Sequence, residues 1–296
     1  MERRGNLLFV ANNGLDEVNV IDVGAMKVVR EFQSGEAPMI PALTRDGRHL
    51  LVSNCDSCDV HVYEALNCGL IARIEVEKGA AGIALAPDGR RAFVANEFAD
   101  SVSIIDLESL RVITTVKVGE GPCVAEITNN GRFCLTSNEV SHNPPLIDTE
   151  TYEVSHTGEI LLAPIGICVA PDDREVFVAD YLSNKIAVLD AGSWSVKDMI
   201  ETGTRHVGMA ITKDGRHVYV SNADSDTVTV IDAGTRKPIA GIRCGESPVY
   251  IAMRPDGRQA AVTNAGANSV TIIDTAAMKP LKNIEVGISP LGITYG

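Results

Sequence analysis

Basic residues are the scarce class in this sequence. Its 26 Lys and Arg stand against 39 Asp and Glu, for a formal net charge of −13. Phosphate backbones are bound by clustered Lys and Arg, so nucleic acid is not the expected partner. Long apolar runs are missing as well. No stretch approaches the ~20 residues of a membrane span, and no membrane partner is expected. The opening "MERRGNLLFVANNG" carries charge but no apolar core of signal-peptide length, because Asn12, Asn13 and Gly14 break it early. The seven cysteines are odd in number and form no recognisable disulfide framework. Without an export signal, reduced thiols and a cytoplasmic location are expected. No segment sustains a 3.6-residue apolar period, so helix should be nearly absent.

What the sequence does contain is a repeat. Asp-Gly pairs at Asp46-Gly47, Asp88-Gly89, Asp214-Gly215 and Asp256-Gly257 lie 42 residues or a multiple of 42 apart. The same frame predicts copies at Arg4-Gly5, Asn130-Gly131 and Asp172-Asp173. Each copy continues with a strand that ends in Asn12, Asn54, Asn96, Asn138, Asp180, Asn222 or Asn264. Ten residues later a second strand ends in Asp22, Glu64, Asp106, Asp148, Asp190, Asp232 or Asp274. Pro38, Ala80, Pro122, Pro164, His206, Pro248 and Pro290 close the units. Seven copies in register without an insertion are not chance.

Each unit holds four short runs rich in Val, Ile and aromatics, divided by turn residues, which reads as four strands. A four-stranded unit of this length is the signature of a propeller blade. The expected fold is all-β: a seven-bladed β-propeller with four antiparallel strands per blade. The chain starts near the second strand of a unit and stops after a first strand, "SPLGITYG". That C-terminal strand should join the N-terminal blade and close the ring, which removes two open edges. Residues 1–296 then form one propeller, although length alone would have pointed to about two domains.

The segments "LFVAN", "VYVSN", "AVTN", "TVTVID" and "GESP" resemble those of YVTN-repeat seven-bladed propellers. The resemblance covers essentially the whole chain. It implies the fold and does not fix an activity, since such propellers include binding proteins, surface proteins and relatives of enzymes.

With strands lettered a to d from the channel outward, the d–a and b–c loops share one face and the a–b and c–d turns the other. The a–b turns repeat and read as structure. The b–c loops vary, and variation on a rigid scaffold is where binding residues sit. Cys55 and Cys58 belong to the second b–c loop. A structural zinc site wants four ligands and this loop offers two, so the expected state is an exposed loop with two thiols. Departures from the repeat mark the channel mouth. His206 replaces the recurring Pro, with Arg205 beside it. Glu126 stands where other units have Ala42, Ala84, Cys168, Ala210 and Ala252. Glu139 and His142 precede Pro144 and Pro145, which should delay or bulge the third strand of that blade. Glu97, Phe98, Tyr181, Tyr250 and Met39 add lining.

His206, Glu126, Arg205 and His142 are therefore the candidate catalytic residues. His with Glu suits acid–base chemistry, and Arg holds a carboxylate or oxyanion. Glu139, Tyr181, Phe98, Glu97, Tyr250 and Met39 are the candidate substrate-binding residues. No cofactor is required; a divalent metal is possible only if His206, His142 and Glu126 converge. A lone His at a Pro position is also an ordinary structural residue, and Glu36, Glu120 and Glu246 read as repeat background. The functional expectation is a small polar or anionic ligand at this mouth. Seven-bladed lactonases and cycloisomerases are similar in architecture and use the same residue types, although none of their local motifs occurs here. The alternative is a protein-interaction platform, with Phe98, Tyr181 and Leu182 as its apolar tips. Quinone-dependent dehydrogenases with a propeller architecture carry repeated Trp docking motifs, and this chain has only Trp194.

Overall fold

A computed structural model describes residues 6–156 and 161–296, with the side chains of His156 and His206 outside the described set. Its strands form seven four-stranded antiparallel sheets. Six blades read in simple chain order. Blade 4, for instance, is Pro122–Ile127, Phe133–Asn138, Pro145–Asp148 and Val154–His156. Blade 1 is composite: Pro290–Tyr295 supplies strand a to Leu7–Asn12, Glu17–Asp22 and Lys27–Gln33. Leu8 pairs with Tyr295 and Val10 with Ile293 across that closure. Helix among the described residues is limited to two 3₁₀ turns, Asn13–Leu15 and Glu97–Ala99, and no helix is long and apolar enough to cross a membrane.

The repeat residues each have a job. Strands b such as Leu7–Asn12 are buried at every position but the first, because a neighbouring blade covers each face. The Asn that ends strand b donates sideways to strand c. Asn96 Nδ2 reaches Ser101 Oγ at 3.0 Å and Ser103 Oγ at 2.9 Å, and Asn264 does the same with Ser269 and Thr271. The acid that ends strand c folds the c–d turn: Asp232 Oδ1 accepts from Thr235 N at 2.7 Å. In the a–b turn Thr44 Oγ1 donates to Asp46 Oδ1 at 2.7 Å, and Gly47 takes the positive φ of 71°. Strands d face outward and alternate charge with apolar residues, as in Lys27–Gln33, which blunts the sheet edge.

Blade 4 departs from the rest. Its strand c, Pro145–Asp148, has four residues where the others have six. The prolines cannot donate to the ladder, so pairing with strand b starts late, at Leu135 opposite Leu146. Pro145 also stands where Ser103 and Thr271 supply a hydroxyl in other blades, and Asn138 Nδ2 is left buried without an acceptor.

Neighbouring blades are pinned by a clasp at the b–c face. Asp16, Asp100, Asn184, Asp226 and Asn268 hold a positive φ and accept from the loop N–H that opens the next blade, at Ala37, Gly121, Arg205, Ser247 and Ser289. Cys58 and His142 occupy the same position in blades 2 and 4, again with positive φ. His142 has no Asx oxygen to offer. Asp180, standing where the repeat has Asn, accepts instead from Leu162 N at 3.1 Å and Ala163 N at 3.0 Å.

Candidate functional site

The b–c mouth is built on one interaction repeated around the ring. The first residue after each strand b donates its N–H to the carbonyl just before strand a of the same blade. The donors are Asn13, Cys55, Glu97, Glu139, Tyr181, Ala223 and Ala265, at 2.8–3.0 Å. Seven side chains, one per blade, are thereby placed around the mouth. Blades 3 and 4 present carboxylates there, and blades 5 and 6 present Tyr181 and the loop of Arg205.

On the acidic side, burial pushes the Glu97 carboxyl above its ordinary range and the neighbouring Glu139 carboxylate adds to the rise. Burial, and after it the charges of Glu97 and Asp56, raises the Cys55 thiol to about 11. Cys55 is buried rather than exposed, and both it and Cys58 are free thiols. Cys123, the second residue of strand a in blade 4, is held at about 12 by burial, with Glu139 and Glu97 contributing. Its thiol lies 3.2 Å from Ser137 Oγ. Tyr250 comes from blade 7, where most blades have Gly or a small aliphatic residue. Burial raises its phenol, and the Cys123 and Glu97 charges add to the rise. Met39 Sδ accepts from Asn13 Nδ2 at 3.6 Å on the blade 1–2 side. Phe98 is 66% exposed at its loop tip.

On the basic side, Arg205 is held by three contacts. Its guanidinium lies over the Tyr181 ring with Cζ 4.9 Å from the centroid, Nε donates to Tyr181 Oη, and Nη1 reaches Asp224 Oδ1 at 3.2 Å. The exposed cation is thus fixed across the blade 5–6 boundary. His206 begins strand a of blade 6 opposite Asn222, at the same end of the channel as Arg205. Its side chain lies outside the described residues.

Two of the expected catalytic residues are placed elsewhere. Glu126 pairs with Leu135, three rungs below the Pro122–Asn138 pair that marks the b–c end. It faces a cavity of about 380 Å³ shared with Asn129, Pro171, Thr212 and Lys213 of the a–b turns. Glu126 lies on the innermost strand, but its side chain opens toward the a–b face and not the b–c mouth where the repeat departures were expected to gather. His142 is exposed in the blade 4 b–c loop and lines a separate groove with Leu161, Leu162, Asp180 and Lys185. Glu126 and His142 line different cavities, so the divalent-metal set of His206, His142 and Glu126 is not assembled. No group of three His, Cys, Asp or Glu residues that could hold a metal occurs among the described residues.

Burial alone raises Glu126 from an ordinary 4.5 to about 7. The folded chain therefore holds this proton more tightly than the unfolded chain does. The stability it contributes is complete below pH 4.5 and is lost as pH rises through 7. Glu126→Gln is expected to match the wild type at pH 4 and to exceed it at pH 8 by ~3–3.5 kcal/mol, at about 1.4 kcal/mol per pKa unit. Urea melts at pH 4, 6 and 8 check this, and a pH-independent difference would refute it.

The closed ring of seven four-stranded sheets around a channel makes this protein a seven-bladed β-propeller. Its sequence matches the family described as YNCE-like beta-propeller over residues 7–173 and 197–295, and the chain belongs to that family. No curated protein matches it. Among solved structures it is similar to hydrazine synthase of Kuenenia stuttgartiensis, with a TM-score of 0.82 and 21% identity over 93% of this chain and 94% of that one. It is also similar to a functionally unknown protein from Desulfotomaculum acetoxidans, with a TM-score of 0.83 and 16% identity over 97% of this chain and 99% of that one. The dihydro-heme d1 dehydrogenase NirN, in complex with DHE, gives a TM-score of 0.74 and 16% identity over 95% of this chain and 63% of that one. At these identities the likeness is one of fold.

Proposed function

We propose that the b–c mouth of the channel binds a small polar molecule between the Glu97–Glu139 side and the Arg205–Tyr181 side. The observation that carries this reading is the fixed Arg205. A guanidinium stacked on Tyr181 and tied to Asp224 has lost most of its freedom before any ligand arrives, so an incoming carboxylate or oxyanion meets a preorganised donor. Around the rest of the ring Glu97, Glu139, Tyr250 and Cys123 supply hydrogen-bonding groups of a second kind. A carboxyl that burial lifts above its ordinary range, as Glu97 is, holds its proton more tightly and can serve as an acid–base group. With Arg205 holding an oxyanion, that pairing fits lactone-opening or lyase chemistry.

The test is a metabolite panel of organic acids and lactones read by thermal shift. A ligand should raise the melting temperature of the wild type. Arg205→Ala and the double variant Glu97→Gln/Glu139→Gln should lose that shift while both still melt cooperatively without ligand. Shifts that survive in both variants would remove the mouth as the site.

A protein partner on the same face is the second reading. Phe98, Val140, Leu162 and Leu182 are 56–66% exposed on the b–c and d–a loops of blades 3 to 5. A substitution of Phe98 and Leu182 to Ser that leaves the ligand shifts intact but abolishes a protein complex would favour it.

A further inference from the structure

The Glu126 cavity at the a–b end is separate from the b–c mouth, and it has the makings of a site. Its walls include Ile167, Val169, Met209 and Met253, with Cys168 between them. Its one acidic group is Glu126. That carboxyl has no hydrogen-bond or ion partner among the described residues. The fold does not need it, because Ala42, Ala84, Ala210 and Ala252 fill the same position in other blades. An unpartnered carboxyl against an apolar wall destabilises the chain unless something neutralises it. An unpartnered ionisable group in a cavity is where a ligand of opposite charge finds its counter-charge.

We propose that this cavity binds a primary monoamine on a short apolar chain, with the ammonium on Glu126 and the chain against Met209 and Met253. Three features of the cavity select that chemistry. A lone carboxylate offers an ammonium its counter-charge and an acceptor, whereas a metal ion needs several donors and no such group is present among the described residues. The thioethers and aliphatic side chains accept a methylene chain, and a volume of about 380 Å³ limits its size. Lys213 stands exposed at the rim of the same cavity and forms no ion pair with Glu126. Its ammonium repels a second positive charge at the outer end of the ligand, so a monoamine is preferred over a diamine of equal length.

The experiment is a titration of the full chain with n-pentylamine, 1,5-diaminopentane and pentan-1-ol, followed by calorimetry and by methyl resonances of Met209 and Met253. n-Pentylamine should bind with a dissociation constant on the order of millimolar, as befits a ligand of about six heavy atoms. The diamine should bind several-fold more weakly and the alcohol at least tenfold more weakly. Glu126→Gln should abolish amine binding, and Lys213→Ala should bring the diamine up to the monoamine. Glu97→Gln, at the other end of the channel, should leave pentylamine binding unchanged even where it removes ligands of the b–c mouth. Silence of the wild type toward pentylamine at 20 mM, equal affinity for the alcohol, undiminished binding to Glu126→Gln, or a diamine that binds the wild type as well as the monoamine would each overturn the proposal.

Discussion

Removal of residues 288–296 is expected to abolish cooperative folding. The segment supplies strand a of blade 1, Pro290–Tyr295, and its pairing with Leu7–Asn12 is what closes the ring. Ile293 and Tyr295 are buried at 8% and 7% exposure, in one apolar cluster with Leu8, Val10 and Ile272. Losing a large buried side chain costs ~2–5 kcal/mol. Two of them together reach the ~5–15 kcal/mol that is the whole stability of a typical domain. The cut also bares the inner edge of Leu7–Asn12, a ready template for aggregation. The truncated chain should be insoluble or should melt without a transition in circular dichroism. Ile293→Ala is the graded version, expected to cost ~2–4 kcal/mol in a urea melt with an unchanged slope. A truncated protein that melts within a few degrees of wild type would mean that six blades suffice.

Substitution of Gly82 is expected to have the next largest effect. Gly82 lies in strand a of blade 3, Ala80–Leu85. A Cβ there would sit 2.5 Å from Ala125 N, 2.8 Å from Val124 Cα and 2.9 Å from Cys123 O. All three are backbone atoms of strand a in blade 4, so no side chain can turn aside. Relief requires the two innermost strands to separate. Overpacking of this kind costs ~1–3 kcal/mol and more when backbone must shift. Gly82→Ala should therefore lose at least ~2 kcal/mol, and Gly82→Val should not fold. Gly241 is the control. It lies in an outer strand, a Cβ there would meet nothing within 4 Å, and its φ is not positive. Gly241→Ala should be neutral or stabilising by ~0.5–1 kcal/mol. Equal melting temperatures for the two alanine variants would refute close approach as the reason for glycine at position 82. Strand a of blade 4 also carries Cys123, so Gly82→Ala should also weaken the ligand binding proposed for the b–c mouth.

The fold was legible because each repeat position does the same physical work in every blade. Pro38, Ala80, Pro122, Pro164, His206, Pro248 and Pro290 each open an innermost strand, as the spacing requires. The Asn residues mark the ends of strands b because their amides bridge to strand c, and the late start of strand c in blade 4 follows from Pro144 and Pro145. The candidate site was harder to read. Membership of the innermost strand places Glu126 along the channel wall but leaves open which mouth its carboxyl faces. That depends on counting rungs from Pro122, and Glu126 lies only two residues from Thr128 of the a–b turn. Cys123 was passed over because a single thiol carries no motif; its place between Glu97, Glu139 and Tyr250 comes from three different blades. A signal was present for His142. It occupies the position where Asp16, Asp100, Asn184, Asp226 and Asn268 clasp the next blade, and Asp180 departs from Asn to replace the missing clasp. The two departures belong to one exchange, which shows only when the seven units are aligned and the hydrogen bonds are known.

The composite first blade has a consequence for biosynthesis. Leu7–Asn12 can pair with Glu17–Asp22 as soon as both have emerged from the ribosome, yet its inner neighbour, Pro290–Tyr295, is translated some 280 residues later. Throughout elongation the nascent chain carries an unpaired strand that must wait for some 280 residues before its partner exists. Chaperones that shield bare strand edges should therefore be found on stalled nascent chains shorter than about 290 residues and should leave once residues 290–295 have cleared the exit tunnel.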